Sequence, residues 1–245
     1  MPLSAAKKLL LFRSPFTPAS IAGLQLWLDA SDPATLFQDS ALTTLASSDT
    51  NPVGGWTDKS GLVHNMLQAT AGKRPLLKKA IVNGLSVLRF DGSDDFLKAT
   101  FTLNQPHSIY MVYSSPIIGA AGVHDVVLDG AVNEASFESF NAPATQLYAG
   151  STVQVASNVA NNVFAVLSIL FNGNTSFLRQ NGVGILAGGA GIANPGGFTL
   201  GGTRTGARNT QIDVAYVLIY STIQGAVDRA TIERALGARF GIGVN

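Results

Sequence analysis

From Leu24 onward the apolar residues fall in short runs rich in Val, Ile, Leu, Phe and Tyr, separated by Gly, Asn, Pro and Ser. Short apolar runs bounded by turn-forming residues predict β-strands. Ten segments qualify: 24–28, 86–90, 108–114, 125–128, 135–140, 146–149, 162–172, 175–180, 197–201 and 211–220. With no helical pattern between them, they predict antiparallel sheets rather than alternating strand and helix units. Because successive side chains of a strand point to opposite faces, Leu24, Leu26 and Leu28 are expected on one side of the first strand and Gln25 and Trp27 on the other.

The pattern changes near the end of the chain. Ile232, Leu236 and Phe240 recur every four residues, with Asp228, Arg229, Glu233, Arg234 and Arg239 among them, which predicts an amphipathic helix over 226–240. Gly241 is positioned to end it, since glycine takes the left-handed conformation past a helix terminus without steric cost. Residues 1–20 read differently again: Lys7, Lys8 and Arg13 surround Leu9, Leu10, Leu11 and Phe12, and Pro15 and Pro18 follow. We read an N-terminal arm, 1–20, ahead of a single domain, 21–245, with Leu9, Leu10, Leu11 and Phe12 as anchors for docking on a partner. Arg13 and Pro15 cut the apolar stretch below the about 7–15 residues of a secretory signal, and no run approaches the ~18 apolar residues of a membrane span. Neither a cleaved signal nor membrane insertion is expected.

Composition narrows the partners. Charged residues make up 13% of the chain and the net charge is +1, about half the ~25% charge of an average domain. That leaves no basic field for nucleic acid. The absence of cysteine removes disulfides, thiolate metal sites and a cysteine nucleophile.

Several segments combine into a recognisable order: GLQLWLDASD at 23–32, GGWTDKSG at 54–61, Arg74-Pro75, IVNGLSVLRFDGSDDFL at 81–97, Asn181-Gly182, and IDVAYVLIY at 212–220 followed by a helix ending in ARFGI. In this order they resemble the laminin-G-like, concanavalin A-like domains of phage structural proteins and bacterial surface proteins. The resemblance implies an all-β jelly-roll sandwich of two antiparallel sheets with one short C-terminal helix, and loops or a sheet face free to bind sugar.

Hydrolases of that fold class carry Glu-x-Asp-x-x-Glu on a strand, which this chain lacks. Its nearest pair, Glu134 and Glu138, would lie ~13 Å apart along a straight strand, beyond the ~5–9.5 Å of glycosidase carboxylates. No catalytic residue is assigned. His64, His107 and His124 have no metal-ligand spacing and are read as turn or surface residues. No cofactor is expected, with calcium the one candidate: among Asp29, Asp32, Asp58, Asp91, Asp94 and Asp95, the pair Asp94 and Asp95 is the foremost contributor of oxygen ligands. The glycine-rich stretches 182–191 and 196–206 lack the Gly-Lys-Ser/Thr ending of a phosphate loop, and their Gly188–Gly191 and Gly201-Gly202 are placed between strands; Arg204 and Arg208 there are read as solvated. An exposed aromatic platform for sugar would draw on Trp56, Tyr110, Tyr113 and Tyr148; Trp27 is read as sheet packing.

The functional expectation is a non-catalytic structural or recognition protein of a phage or virus particle (head decoration, head fibre or tail), assembled in the host cytoplasm with other virion proteins or copies of itself, and with cell-surface glycan as a further partner. The alternatives are a free carbohydrate-binding module or bacterial adhesin at the cell surface or outside the cell, and, third, a glycan hydrolase or lyase.

Overall fold

The computed structural model describes residues 16–115, 124–140, 144–156, 159–160 and 162–245. The first half of the chain forms β1 (Leu24–Asp29), β2 (Leu36–Phe37), β3 (Gly55–Trp56), β4 (Met66–Leu67), β5 (Leu76–Val82), β6 (Leu85–Asp91), β7 (Leu97–Thr100) and β8 (His107–Ser114). The second half adds β9 (His124–Asp129), β10 (Ser136–Phe140), β11 (Ala144–Tyr148), β12 (Thr152–Val155), β13 (Ala165–Phe171), β14 (Ser176–Gln180), β15 (Val183–Gly188), β16 (Gly197–Leu200), β17 (Gln211–Tyr220) and α1 (Ala226–Phe240).

These strands make two antiparallel sheets. The first runs β15-β14-β13-β8-β17-β6-β5, with β1 on the remaining half of the long β17; the second runs β12-β11-β10-β9-β16-β7-β4-β3-β2. Leu26, Leu28, Phe90, Met111 and Val217 of the first sheet meet Trp56, Phe137, Leu147, Phe198 and Leu200 of the second in one buried core. The result is a jelly-roll β-sandwich with one C-terminal helix. α1 lies on the outer side of the first sheet, where Ile232, Leu236 and Phe240 bury against Tyr110, Val112, Tyr216 and Leu218. Gly241 ends it in the left-handed conformation with φ 69°. A buried carboxylate pins the helix: Glu233 accepts from Ser168 Oγ at 2.7 Å and from Arg179 Nε at 3.1 Å.

The motif residues have structural tasks. Asp58 accepts from the backbone N–H of Trp27 (2.9 Å), Ser60 (2.8 Å) and His64 (3.1 Å), tying β1 to the following loop. Arg74 donates to the carbonyls of Gln38, Gln68 and Ala69, clamping two backbone stretches together. Asn83-Gly84 and Asn181-Gly182 each join two strands through two consecutive residues with positive φ, the turn that matches strand twist. Gly55 allows close packing, because a Cβ there would sit 2.3 Å from Leu42 Cδ2.

Three expectations need correction. A register shift between Leu24 and Leu26 breaks the alternation in β1, so Leu24 packs with Trp27 in the helix layer and not with Leu26 and Leu28. Gly188, placed between strands, is the last residue of β15, a strand missed in the sequence, where it pairs with Ser176 of β14. Strands β5, β7 and β12, carrying Lys78, Lys79, Lys98 and Gln154, were hidden by polar residues on their exposed sides. The docking anchors Leu9, Leu10, Leu11 and Phe12 lie outside the described residues. The residues that follow pack on the domain: Pro18 is buried and its carbonyl accepts from Tyr220 Oη at 3.1 Å.

Candidate functional site

With α1 over the first sheet, the outer side of the second sheet is the one without a helix among the described residues; its centre (Asp129, Ser136, Glu138, Gln146, Thr199) is buried, and Thr152 and Gln154 on its β12 edge are exposed. Register determines what it shows. In β10, Phe137 points to the core, so Ser136 and Glu138 point outward; Glu138 pairs with Gln146, which pairs with Gln154, and Ser136 pairs with Tyr148, which pairs with Thr152. On the other side Asp129 pairs with Thr199, which pairs with Lys98. Three neighbouring strands thus align amides, hydroxyls, a phenol and a carboxylate in adjacent rows, of which Thr152 and Gln154 are exposed, Tyr148 is half-buried, and Ser136, Glu138 and Gln146 are buried.

The centre of this face is a fixed ionic network. Glu138 is 1% exposed and engages Gln146 Nε2 and, at 3.0 Å, His124 Nδ1 through different oxygens. Arg208 reaches both Glu138 (3.7 Å) and Glu134 (3.6 Å), and Arg204 reaches both Glu134 (3.3 Å) and Asp129 (3.4 Å). Asp129 also accepts from the backbone N–H of Gly130 (2.7 Å), Ala135 (3.0 Å) and Arg204 (2.9 Å), which fixes the loop before β10. Glu134 precedes that strand rather than sharing it, and one guanidinium spans it and Glu138. The straight-strand separation of ~13 Å is therefore not the geometry found. Arg204 and Arg208 are not free surface cations but bridges between carboxylates.

The predicted aromatic platform is dispersed. Trp56 is fully buried in the core, Tyr113 packs edge-on against Phe137 between the sheets, and Tyr110 lies beneath α1 against Tyr220. Burial of this kind removes all three from contact with a sugar. Tyr148 alone of the four sits on the open face, half-buried. The partners that sequence reasoning missed there are Gln146, Gln154 and Ser136, whose signal was the polar half of the alternation in TQLY and TVQV.

The histidines separate by environment. His64 stacks on Phe101 with centroids 4.0 Å apart and donates to the Gln25 carbonyl at 2.8 Å. His107 is 1% exposed and stacked on Phe171; burial pushes its pKa down to about 4, so it is an interior group and not the turn or surface residue expected. His124 belongs to the Glu138 network.

Asp91, Asp94 and Asp95 bring one carboxylate oxygen each within 4.8 Å of one another. Local turn bonds account for the grouping: Asp91 Oδ1 accepts from the N–H of Ser93 (2.8 Å) and Asp94 (3.3 Å), and Asp95 Oδ2 accepts from that of Asp91 (3.0 Å). Burial, with the neighbouring carboxylates, pushes Asp95 up to about 6. The other acidic candidates are engaged elsewhere, Asp29 with Arg239 and Ser31, Asp32 with Lys59, and Asp58 in its loop.

No protein-family model matches the chain, and no curated protein sequence matches it. Solved structures do. The binding domain of Paraclostridial Mosquitocidal Protein 1 superposes with a TM-score of 0.61 at 12% identity, over 90% of this chain and 53% of that one. A Trypanosoma rangeli sialidase gives 0.58 at 14% identity over 92% and 34%. The receptor-binding domain of botulinum neurotoxin mosaic serotype C/D gives 0.56 at 10% identity over 86% and 50%. This chain thus spans about a third of the sialidase and about half of each toxin domain. These likenesses show the fold alone, a two-sheet β-sandwich consistent with the concanavalin A-like fold. Among the described residues no helix is long and apolar enough to cross a membrane.

Proposed function

We propose that this chain is a non-catalytic recognition domain of laminin-G-like type that binds carbohydrate across the open face of its second sheet. The observation that carries the reading is the register that sets the exposed Thr152 and Gln154 beside the half-buried Tyr148 on that face, backed by the buried Gln146, Ser136 and Glu138. Sugars are recognised by planar amides and carboxylates that bond paired hydroxyls, beside an aromatic ring that covers their apolar side. A hydrolytic role is disfavoured by the same network, since the oxygens of Glu138 are held by Gln146, His124 and Arg208 and those of Glu134 by Arg204 and Arg208. Two toxin binding domains among the structural likenesses add support for recognition.

The setting we infer is a phage or virus particle, on the grounds of a cysteine-free, sparsely charged sequence. Co-sedimentation of the protein with particles tests it; a protein found free would count against it.

Glycan-array screening followed by calorimetry tests the binding reading. The purified chain should bind at least one glycan without cleaving it, and Tyr148→Ala and Gln154→Ala should each weaken that binding at least about tenfold with unchanged melting. Binding that ignores both substitutions, or turnover that disappears in Glu138→Gln, would overturn it.

A further inference from the structure

Strand register gathers one set of loops at a single end of the sandwich. β17 finishes there beside the starts of β1 and β8, with Tyr220 opposite Leu24 and Ser108; β13 finishes beside the start of β8, β15 beside the start of β14, and β7 and β9 on either side of the start of β16. The stretch 60–64 joins them, because Ser60 Oγ and His64 Nδ1 donate to the carbonyl of Gln25 near the start of β1. The loops of this end are 60–64, 101–106, 130–133, 149–151, 172–175, 189–196 and 221–225, and none contains Asp, Glu, Lys or Arg, although 13% of the chain is charged.

Apolar tips stand there instead. Of the eleven large apolar side chains exposed among the described residues, six lie on these loops or on the first turn of α1: Leu62, Val63, Val132, Ile192, Ile223 and Val227, with Ile192 the most exposed at 81%. Apolar side chains scattered singly need no explanation, but a concentration of them marks an interaction surface. The tips are also held in place. Gln105 Nε2 donates to the carbonyls of Gly191 and Ala193, on either side of Ile192, and the N–H groups of Ala131, Val132 and Asn133 all donate to the carbonyl of Pro195. Val63 takes φ 62°, a left-handed backbone that β-branched residues rarely adopt, in a loop fastened by Asp58 and by the stack of His64 on Phe101. The nearest charges are drawn off, Lys59 to Asp32 and Glu134 to Arg204 and Arg208, and α1 adds one residue of each sign, Asp228 and Arg229.

We propose that this end is the contact between two copies of the chain, joined end to end about a two-fold axis, with Val63 and Ile192 as anchors. Charge selects the occupant. In a two-fold contact a patch meets its own copy, so a patch of one sign would oppose itself; an uncharged patch does not, and interface centres are depleted of charge. A lipid surface would call for Trp, Tyr, Lys or Arg at the rim, and these loops have none. Size agrees: about seven strands abreast and two stacked sheets with α1 make an end of roughly 30 Å by 25 Å, close to the ~800 Å² that each partner buries in a standard interface. The end is separate from the sheet face proposed to bind sugar, and either can fail without the other.

Sedimentation velocity of the full chain between about 1 and 100 µM should show monomer passing into dimer as concentration rises. Val63→Lys combined with Ile192→Lys puts cations where the copies meet and should raise the dissociation constant at least about tenfold, with circular dichroism and melting of the monomer unchanged. Ile192→Lys alone, at a position too exposed to disturb folding, should act in the same direction. Val183→Lys, at an exposed apolar position beside the 181–182 turn at the other end, should leave association as it is. A parent that stays monomeric at about 100 µM, whether or not it binds phosphatidylcholine vesicles, would overturn the proposal. So would growth beyond the dimer, association of the folded lysine variants as tight as the parent's, or an equal loss in Val183→Lys.

Discussion

The two sheets share a core but their outer faces are opposites. On the first, Tyr110, Val112, Val166, Tyr216, Leu218 and Tyr220 are apolar or aromatic and buried beneath α1 and the segment leading into β1. On the second, the outward positions are the polar Thr152, Gln154, Gln146, Tyr148, Ser136 and Glu138, of which Gln154 and Thr152 are exposed, Tyr148 is half-buried, and Gln146, Ser136 and Glu138 are buried. The contrast shows that alternation in a strand reports only whether its second face has a partner within the chain. β8 is buried at every residue because both its faces are covered, whereas β12 alternates because one is not. Each face nevertheless carries a buried glutamate: Glu233 is held by Ser168 and Arg179, and Glu138 by Gln146, His124 and Arg208.

The largest effect is expected where the covered face is opened. Leu236 is 2% exposed between α1 and the first sheet, and truncating a buried leucine costs about 2–5 kcal/mol. Denaturant unfolding of Leu236→Ala should show a loss of that size. An unchanged midpoint would break the contrast, because α1 would then not be what completes the first sheet.

Acid sharpens the comparison from inside. His107 is buried at the start of β8, while His124 lies on the open face, half-buried and bonded to Glu138. The folded pKa of His107 falls to about 4 from 6.5. The unfolded chain therefore takes up the proton first, and the folded state loses stability as pH falls from 6.5 towards 4, by at most about 3 kcal/mol. His107→Phe should flatten the dependence of unfolding free energy on pH across that window. A slope as steep as that of the parent would place the acid-sensitive group elsewhere.

Legibility in the sequence followed the same division. The covered face was readable: β17 and the helix over Ala226–Phe240 stand out because a long apolar run and a four-residue period arise from little besides a doubly covered strand and an amphipathic helix. The open face was not, since Gln146, Gln154 and Ser136 look in sequence like ordinary surface residues, and only pairing across strands brings them beside Tyr148. Tyr110 and Tyr113 misled for a related reason, as an aromatic residue in a strand carries no mark of whether that strand is covered on both sides. Glu134 and Glu138 were placed too far apart because a strand was extended through a loop that Asp129 bends back.

The smallest effect is expected at the acidic turn after β6, which belongs to neither outer face. Asp95 has its pKa pushed up to about 6 from 3.8, so the folded state holds this proton more tightly than the unfolded chain does. Its contribution to stability is full below pH 3.8 and is lost as pH rises through about 6. Asp95→Asn keeps an oxygen to accept from the Asp91 N–H and removes a charge that Asp91 and Asp94 oppose. In the presence of a chelator the variant should therefore be slightly more stable than the parent at pH 7, by less than about 1 kcal/mol given partial solvent screening, and the gain should vanish near pH 3.5. Calcium bound by Asp91, Asp94 and Asp95 would reverse the sign, because a divalent ion stabilises the carboxylates that otherwise repel. Thermal melts of parent and variant with millimolar calcium and with chelator separate the cases: a calcium-dependent rise in the parent that Asp95→Asn abolishes makes the turn a metal site, and no calcium response in either leaves it a hydrogen-bonded turn.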